Sequence, residues 1–228
     1  MHHPDGAAAE ADTSRRGYIG LMARLKFNAH GFVFQDGMKV LLRSYSAAQD
    51  ALGEIIDCER EAAFAYQQEL EMGGKWIGEH DDEGIVIWDQ EQILAHRVDE
   101  AEGASAALRK AFVITFYHHW ERSALKWVGK GRLDHLQLEA AVRALGYPVD
   151  PALDDVRLLV NTLKHDNSKW GLQLWARRQG TFMPGFNPNA KIINWYESIR
   201  LKSDDVEMIW NIVACSGPTI KMVQPSPG

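Results

Sequence analysis

Residues 105–128, SAALRKAFVITFYHHWERSALKWV, run for more than six helical turns without a glycine or proline. At about 100° per residue, Phe112, Val113, Phe116, Tyr117, Trp120, Ala124 and Trp127 fan over one broad face. An apolar arc so wide and so aromatic has to be covered from more than one side. The segment therefore predicts a central helix with other helices packed around it.

A second pattern lies at residues 151–165. Asp150 is a good N-cap and Pro151 suits the first helical position, so a helix is expected from residue 151 to His165. Leu153, Val156, Leu159, Val160 and Leu163 share about 100° of arc, and Arg157, Asn161, Lys164 and His165 occupy the neighbouring arc. Arg157, Asn161 and His165 stand at i, i+4 and i+8 and so stack along one ridge. An ordinary solvated face contains the same residue types. Against that plain reading, Asn is a poor mid-helix residue unless its amide has a partner, and His165 sits where the helix ends, beside Asp166 and Asn167.

The remaining segments supply the rest of the architecture. Ser46 as N-cap, a dense run of helix formers and the stop at Gly73-Gly74 predict a long helix. Gly78 and Gly84 bracket an acidic turn, followed by Ile85, Val86, Ile87 and Trp88 as a short strand or buried loop. His80 beside Glu79, Asp81 and Asp82 reads as a solvated acidic loop, because no second cluster at ligand spacing supports a metal site. Helix resumes at about residue 91, with an expected break near Gly103. A short amphipathic helix spans residues 134–145 and stops at Gly146, and another turn or two covers residues 169–178. After the loop GTFMPGFNPN, residues 192–201 read as a strand, and Ser203 caps a last helix through Cys215. In residues 18–45, Gly20, Gly31 and Gly37 separate apolar clusters, which fits either a short helix or two small strands around Gln35-Asp36-Gly37. The expected fold is mainly α with minor peripheral strands. The expected layout is a disordered leader at 1–17, one domain at 18–218 and a flexible tail at 219–228.

Composition bounds the function. With 228 residues, 46% of them hydrophobic and 25% charged, one sizeable core is expected and wholesale disorder is excluded. The net charge of −6 argues against a chain-wide attraction for nucleic acid but leaves room for a local basic patch. No window approaches the roughly 18 apolar residues of a membrane span, and the N-terminus lacks the apolar core of a signal peptide. Cys58 and Cys215 lack paired zinc spacing and are expected to be buried free thiols. A cytoplasmic protein without metal, cofactor or membrane association is the expectation.

On the central helix, Glu121 falls on the wheel between Ile114, Tyr117, Leu125 and Val128, inside the apolar arc. A carboxylate there needs a partner, because burying it unpaired costs several kcal/mol. Arg157, Lys164 and His165 are the candidates from the other helix. Alternatively the helix is rotated and Glu121 pairs with Arg122 or Lys126 at its rim.

The sequence His118-His119-Trp120-Glu121 on one helix, with RLLVNTLKHDNSKWG on a later one, resembles the bacterial HEPN families, whose second helix carries an Asn-x3-His element. The resemblance covers roughly residues 104–178. It implies a bundle of four to five helices that commonly dimerises and, in many members, a metal-independent RNase of toxin–antitoxin, CRISPR-associated or abortive-infection systems. Asn161 and His165 match the element. The arginine that directly precedes the Asn in those nucleases is replaced by Val160, and Arg157 stands one turn upstream.

By this resemblance His165 acts as general acid or base in attack by an RNA 2′-hydroxyl. Lys164 or Arg157 stabilises the phosphate charge, and Asn161 orients phosphate or imidazole. Glu121 completes the polar cluster between the two helices. Lys126, Lys130 and Arg132, with Lys169, Arg177 and Arg178, are expected to contact the RNA backbone, and Trp170 or Trp120 to stack a base. The alternative is a non-catalytic HEPN module that binds a nucleotide, RNA or a partner protein such as an antitoxin, and the replacement at Val160 favours it. A metal enzyme using His118, Glu121 and His119 or His165 ranks last, because the Glu-x-x-His pairs of di-iron bundles are absent.

Overall fold

The structure, a computed structural model, describes residues 27–221. Two long helices, α1 (Ala29–Glu71) and α2 (Gln90–Val128), run antiparallel and are joined through a two-stranded antiparallel hairpin, β1 (Gly78–His80) and β2 (Val86–Asp89). Five shorter helices follow: α3 (His135–Ala144), α4 (Leu153–His165), α5 (Ser168–Arg177), α6 (Trp195–Ser198) and α7 (Ser203–Cys215). The fold is mainly α with a small sheet, as the sequence predicts. At 43 and 39 residues, α1 and α2 are each roughly 60 Å long, far longer than the remaining helices. Their proximal halves hold the bundle, while the distal halves project as a two-helix arm capped by the β-hairpin. Residues 1–17 lie outside the described residues.

The aromatic face of α2 is the centre of the core. Val113, Phe116, Trp120 and Ala124 are fully buried against Phe34 and Met38 of α1 and residues of α4 and α7. The indole N–H of Trp120 donates to the carbonyl of Ser216, and that of Trp210 donates to the carbonyl of Met38 at 2.8 Å. Trp127 meets Phe34 edge-on with ring centroids 5.1 Å apart. These polar tips reach backbone acceptors while the rings fill volume.

Several boundaries differ from expectation for reasons that are not local. No helix starts at Ser46, which lies exposed inside α1. The cap is Asn28, whose side chain accepts from the Gly31 amide at 2.9 Å. Gly31 and Gly37 do not break the chain. They are places where other groups come close to α1: a Cβ at Gly31 would strike the Thr219 carbonyl, and one at Gly37 would strike the His119 ring. Gly103 likewise sits in an unbroken α2. Residues 192–201 form no strand. Asn194 caps the short α6 through the Glu197 amide, and the only extended pairing there is the isolated bridge of Phe182 with Ile199. The N-cap of α7 is Lys202 rather than Ser203.

Both cysteines are exposed, contrary to expectation. Cys58 lies on the outward face of α1, and Cys215 closes α7. The hairpin strands are exposed as well: Ile85, Val86, Ile87 and Trp88 all face solvent. Near the C-terminus, the Asn28 amide donates to the Ile220 carbonyl at 3.2 Å, so the described part of the expected tail is tied to the start of α1.

Asn28→Ala is expected to lower stability by about 1–2 kcal/mol through loss of the α1 cap, whereas Ser46→Ala should change it by less than about 0.5 kcal/mol. Urea unfolding of the two variants checks this; equal losses would place the cap wrongly.

Candidate functional site

α4 begins at Leu153, two residues later than its Asp-Pro start signal implies. The Asp150 carboxylate accepts from the Ala152 amide at 2.8 Å and its carbonyl accepts from the Leu153 amide at 3.0 Å, which folds Pro151 and Ala152 into a turn. Beyond the expected arc, Leu158 and Thr162 are buried too. The Thr162 hydroxyl is satisfied by the Leu158 carbonyl at 2.8 Å. The helix ends at Asp166, which adopts φ 44°, and its carboxylate accepts from the Tyr196 amide at 3.0 Å. Asn167 then caps α5.

The Arg157, Asn161, His165 ridge exists, but its members have different duties. The Arg157 Nε donates to Asp154 Oδ1 at 2.7 Å, and its guanidinium lies over the Trp170 ring, 5.2 Å from the centroid. Lys169 Nζ lies over the same ring at 4.6 Å. Asn161 is half-buried, and its amide makes no hydrogen bond among the described residues. Lys164 and His165 are exposed. Eight residues separate Arg157 from His165, a rise of about 12 Å, so one phosphate is not gripped by both. Val160 is 1% exposed and belongs to the core. The position where the nuclease motif has its arginine therefore faces away from the ridge.

Glu121 is not sequestered in the apolar arc. Its side chain is 39% exposed and pairs with His118 Nδ1 at 3.0 Å, so α2 is rotated to put both residues on its rim. It is also at the wrong height for His165. Lys110 Nζ donates to the Tyr196 carbonyl at 2.8 Å, and the Tyr196 amide donates to Asp166, which sets the C-terminal end of α4 level with Lys110. Glu121 lies eleven residues farther along α2, about 16 Å away, and Lys126 about 24 Å away. Lys130 and Arg132 are beyond the end of α2. Trp120 is fully buried and cannot stack a base. Arg177 binds Asp154 at 2.7 Å and Asp155 at 3.2 Å, and Arg178 binds Asp155 at 3.0 Å. The expected basic ring does not close around one point. What does gather at the α4–α5 corner is Arg157, Asn161, Lys164, His165, Lys169 and Trp170.

A polar junction that the sequence does not announce lies beneath Arg157. The Tyr117 hydroxyl and His135 Nδ1 are 2.9 Å apart. His135 Nε2 faces Asp154 Oδ1 at 3.6 Å and Glu139 Oε2 at 3.7 Å, too long for hydrogen bonds. The imidazole is 7% exposed. Burial, reinforced by Arg157, pushes the His135 pKa below its ordinary value, although Asp154, Glu139 and Glu121 pull the other way. A neutral ring then accepts from Tyr117 at Nδ1 and turns its Nε2–H toward the carboxylates. Burial, then Glu121, raises the Tyr117 pKa. Burial opposes charge on Asp154, but the hydrogen bonds from Arg157 and Arg177 outweigh it and hold the carboxyl below the usual range. The i, i+4 spacing of His135 and Glu139 was visible in the sequence, whereas nothing local connects His135 to Tyr117 or Asp154. Enclosed as it is, this junction joins helices and offers no open face to a substrate.

Among the described residues, no three His, Cys, Asp or Glu side chains gather to hold a metal ion, and no helix is long and apolar enough to cross a membrane. No family model matches the chain, and no curated protein or solved structure matches it either.

The buried imidazoles set a pH dependence. Burial lowers the pKa of His119 as well as His135, so on acidification the unfolded chain binds these protons first, near pH 6.5. Their contribution to stability is complete above that pH and declines as the pH falls toward the folded values. Urea unfolding at pH 7.5 and 5.5 should show a loss in wild type that shrinks in His135→Gln; an undiminished loss in the variant would contradict the assignment.

Proposed function

We propose that this chain is an HEPN-like helical module that holds single-stranded RNA at its α4–α5 corner without cleaving it. The family part of this reading rests on the resemblance of NTLKHDNSKWG. The functional part rests chiefly on one observation: the Trp170 ring carries Arg157 and Lys169 against it, beside the exposed Lys164 and His165.

Single-stranded nucleic acid is held by aromatic platforms flanked by cations. Lys169, on a flexible stem, can yield its place on the ring to a base and move to the adjoining phosphate. Lys164 and His165, at the end of α4, then lie along the outgoing backbone. Asn161, half-buried without a partner among the described residues, has donors and acceptors available for a ribose or base edge. The local cationic patch offsets the chain's net charge of −6.

Cleavage needs a positioned acid or base and a cation on the same phosphate. His165 has no orienting hydrogen bond among the described residues, Arg157 is committed to Asp154, and Val160 is in the core. These facts favour binding over catalysis.

The test is fluorescence anisotropy with a labelled 12-nucleotide oligouridylate in EDTA, followed by a gel of the same RNA. Binding at 50 mM salt that weakens at 200 mM is expected, with intact RNA. Stacking contributes on the order of 1–3 kcal/mol per base, so Trp170→Ala should weaken binding about tenfold or more. No binding at low salt, or equal binding by Trp170→Ala, would overturn the reading. Cleavage that disappears in His165→Ala would replace it with the nuclease.

A further inference from the structure

A second feature is a cavity of about 620 Å³ between α1, α2 and residues 197–201. Its volume falls within the roughly 300–1,000 Å³ typical of small-molecule sites. Lys110 lines it and is 5% exposed. The ammonium has the Tyr196 carbonyl at 2.8 Å and the Tyr196 ring at 4.0 Å, but no carboxylate within 4 Å among the described residues. Arg109, its neighbour on the same wall, is in the same position. Its hydrogen bonds go to Gln49 at 3.3 Å, Ser105 at 2.7 Å and the Leu201 carbonyl at 3.0 Å, all of them neutral. Arg200, exposed at the cavity mouth, has no ion-pair partner among the described residues.

A buried charge is normally paired, because removing it from water is costly. Here burial presses the Lys110 ammonium toward its neutral form, outweighing the opposite pull of the Glu197 carboxylate.

We infer that this cavity binds a small sugar phosphate, with its phosphate between Lys110 and Arg109 and Arg200 closing over it. A phosphate monoester carries up to two charges and accepts both a point-charge ammonium and a planar guanidinium. A carboxylate ligand would leave the charge of one cation unmatched. The acidic groups in the wall define the rest of the ligand. Arg60 engages Glu102 at 2.5 Å and Asp57 at 4.0 Å, while Asp99 and Glu197 have no ion pair among the described residues. Unpaired carboxylates suit a body that presents hydroxyl donors and do not suit an apolar one.

The experiment is isothermal titration calorimetry of the full chain at fixed ionic strength. The probes are ribose 5-phosphate and its two parts, inorganic phosphate and ribose. Ribose 5-phosphate should bind most tightly, inorganic phosphate more weakly, and ribose without detectable heat. Lys110→Met keeps the stem and removes the charge, and should lower affinity for ribose 5-phosphate at least about tenfold. Arg200→Ala, at an exposed position that the fold does not need, should lower it severalfold and stands in if Lys110→Met does not fold. Absence of binding by wild type up to 10 mM (a concentration of roughly −2.7 kcal/mol on the affinity scale), binding of ribose equal to that of its phosphate, or unaltered affinity in a folded variant would each overturn the inference. No residue lining the cavity belongs to α4 or α5, so these outcomes are read independently of RNA binding at the α4–α5 corner.

Discussion

Asp154 is the carboxylate on which four helices meet. From the first turn of α4 it accepts from Arg157 of its own helix and from Arg177 of α5, and it faces His135 of α3, which in turn holds Tyr117 of α2. A charge this enclosed is tolerated because it is shared between two guanidiniums that are themselves held in place. Burial and Arg157 hold the His135 pKa below its ordinary value against the pull of Asp154, and the junction fixes the roll of α4 and thereby decides which of its residues enter the core and which reach solvent. With that roll, Val160 is inside and the ridge of Arg157, Asn161 and His165 is at the surface.

The same junction shapes the α4–α5 corner. Arg157 neutralises Asp154 on one side and supports Trp170 on the other, so the platform is rigid where it touches the bundle. Farther along, Lys164, His165 and Lys169 are exposed and unengaged by carboxylates among the described residues. Beside the long α1–α2 pair, the cavity wall holds Lys110, buried, and Arg109, half-buried, neither with an ion-pair partner among the described residues.

Local signals in the sequence went far where the determinants are themselves local. The aromatic stripe of α2, the Gly146 stop of α3 and the end of α4 at His165 are set by periodicity and capping, and they stand where expected. Gly31 and Gly37 looked like breaks because their reason for being glycine is the approach of Thr219 and His119, far away in the chain. Residues 192–201 have strand-like composition, but Asn194 and Asp166 organise them into a helical turn against α4. In the candidate site, the i, i+4, i+8 spacing puts Arg157, Asn161 and His165 on one ridge, as expected, but a rise of about 12 Å keeps its ends apart. The roll of α2 that frees Glu121 for His118, and the union of Tyr117, His135 and Asp154, depend on how helices dock and leave no trace in spacing.

Whether Arg157 belongs to the fold, rather than standing free as a catalytic cation, can be measured directly by a double-mutant cycle. Urea unfolding of wild type, Asp154→Ala, Arg157→Ala and the double variant gives the coupling between the two side chains. A favourable coupling of about 1–2 kcal/mol is expected for a half-enclosed, charge-assisted hydrogen bond. Losses that simply add, to within about 0.3 kcal/mol, would mean that Arg157 is not committed to Asp154 and would contradict the structural role assigned to it.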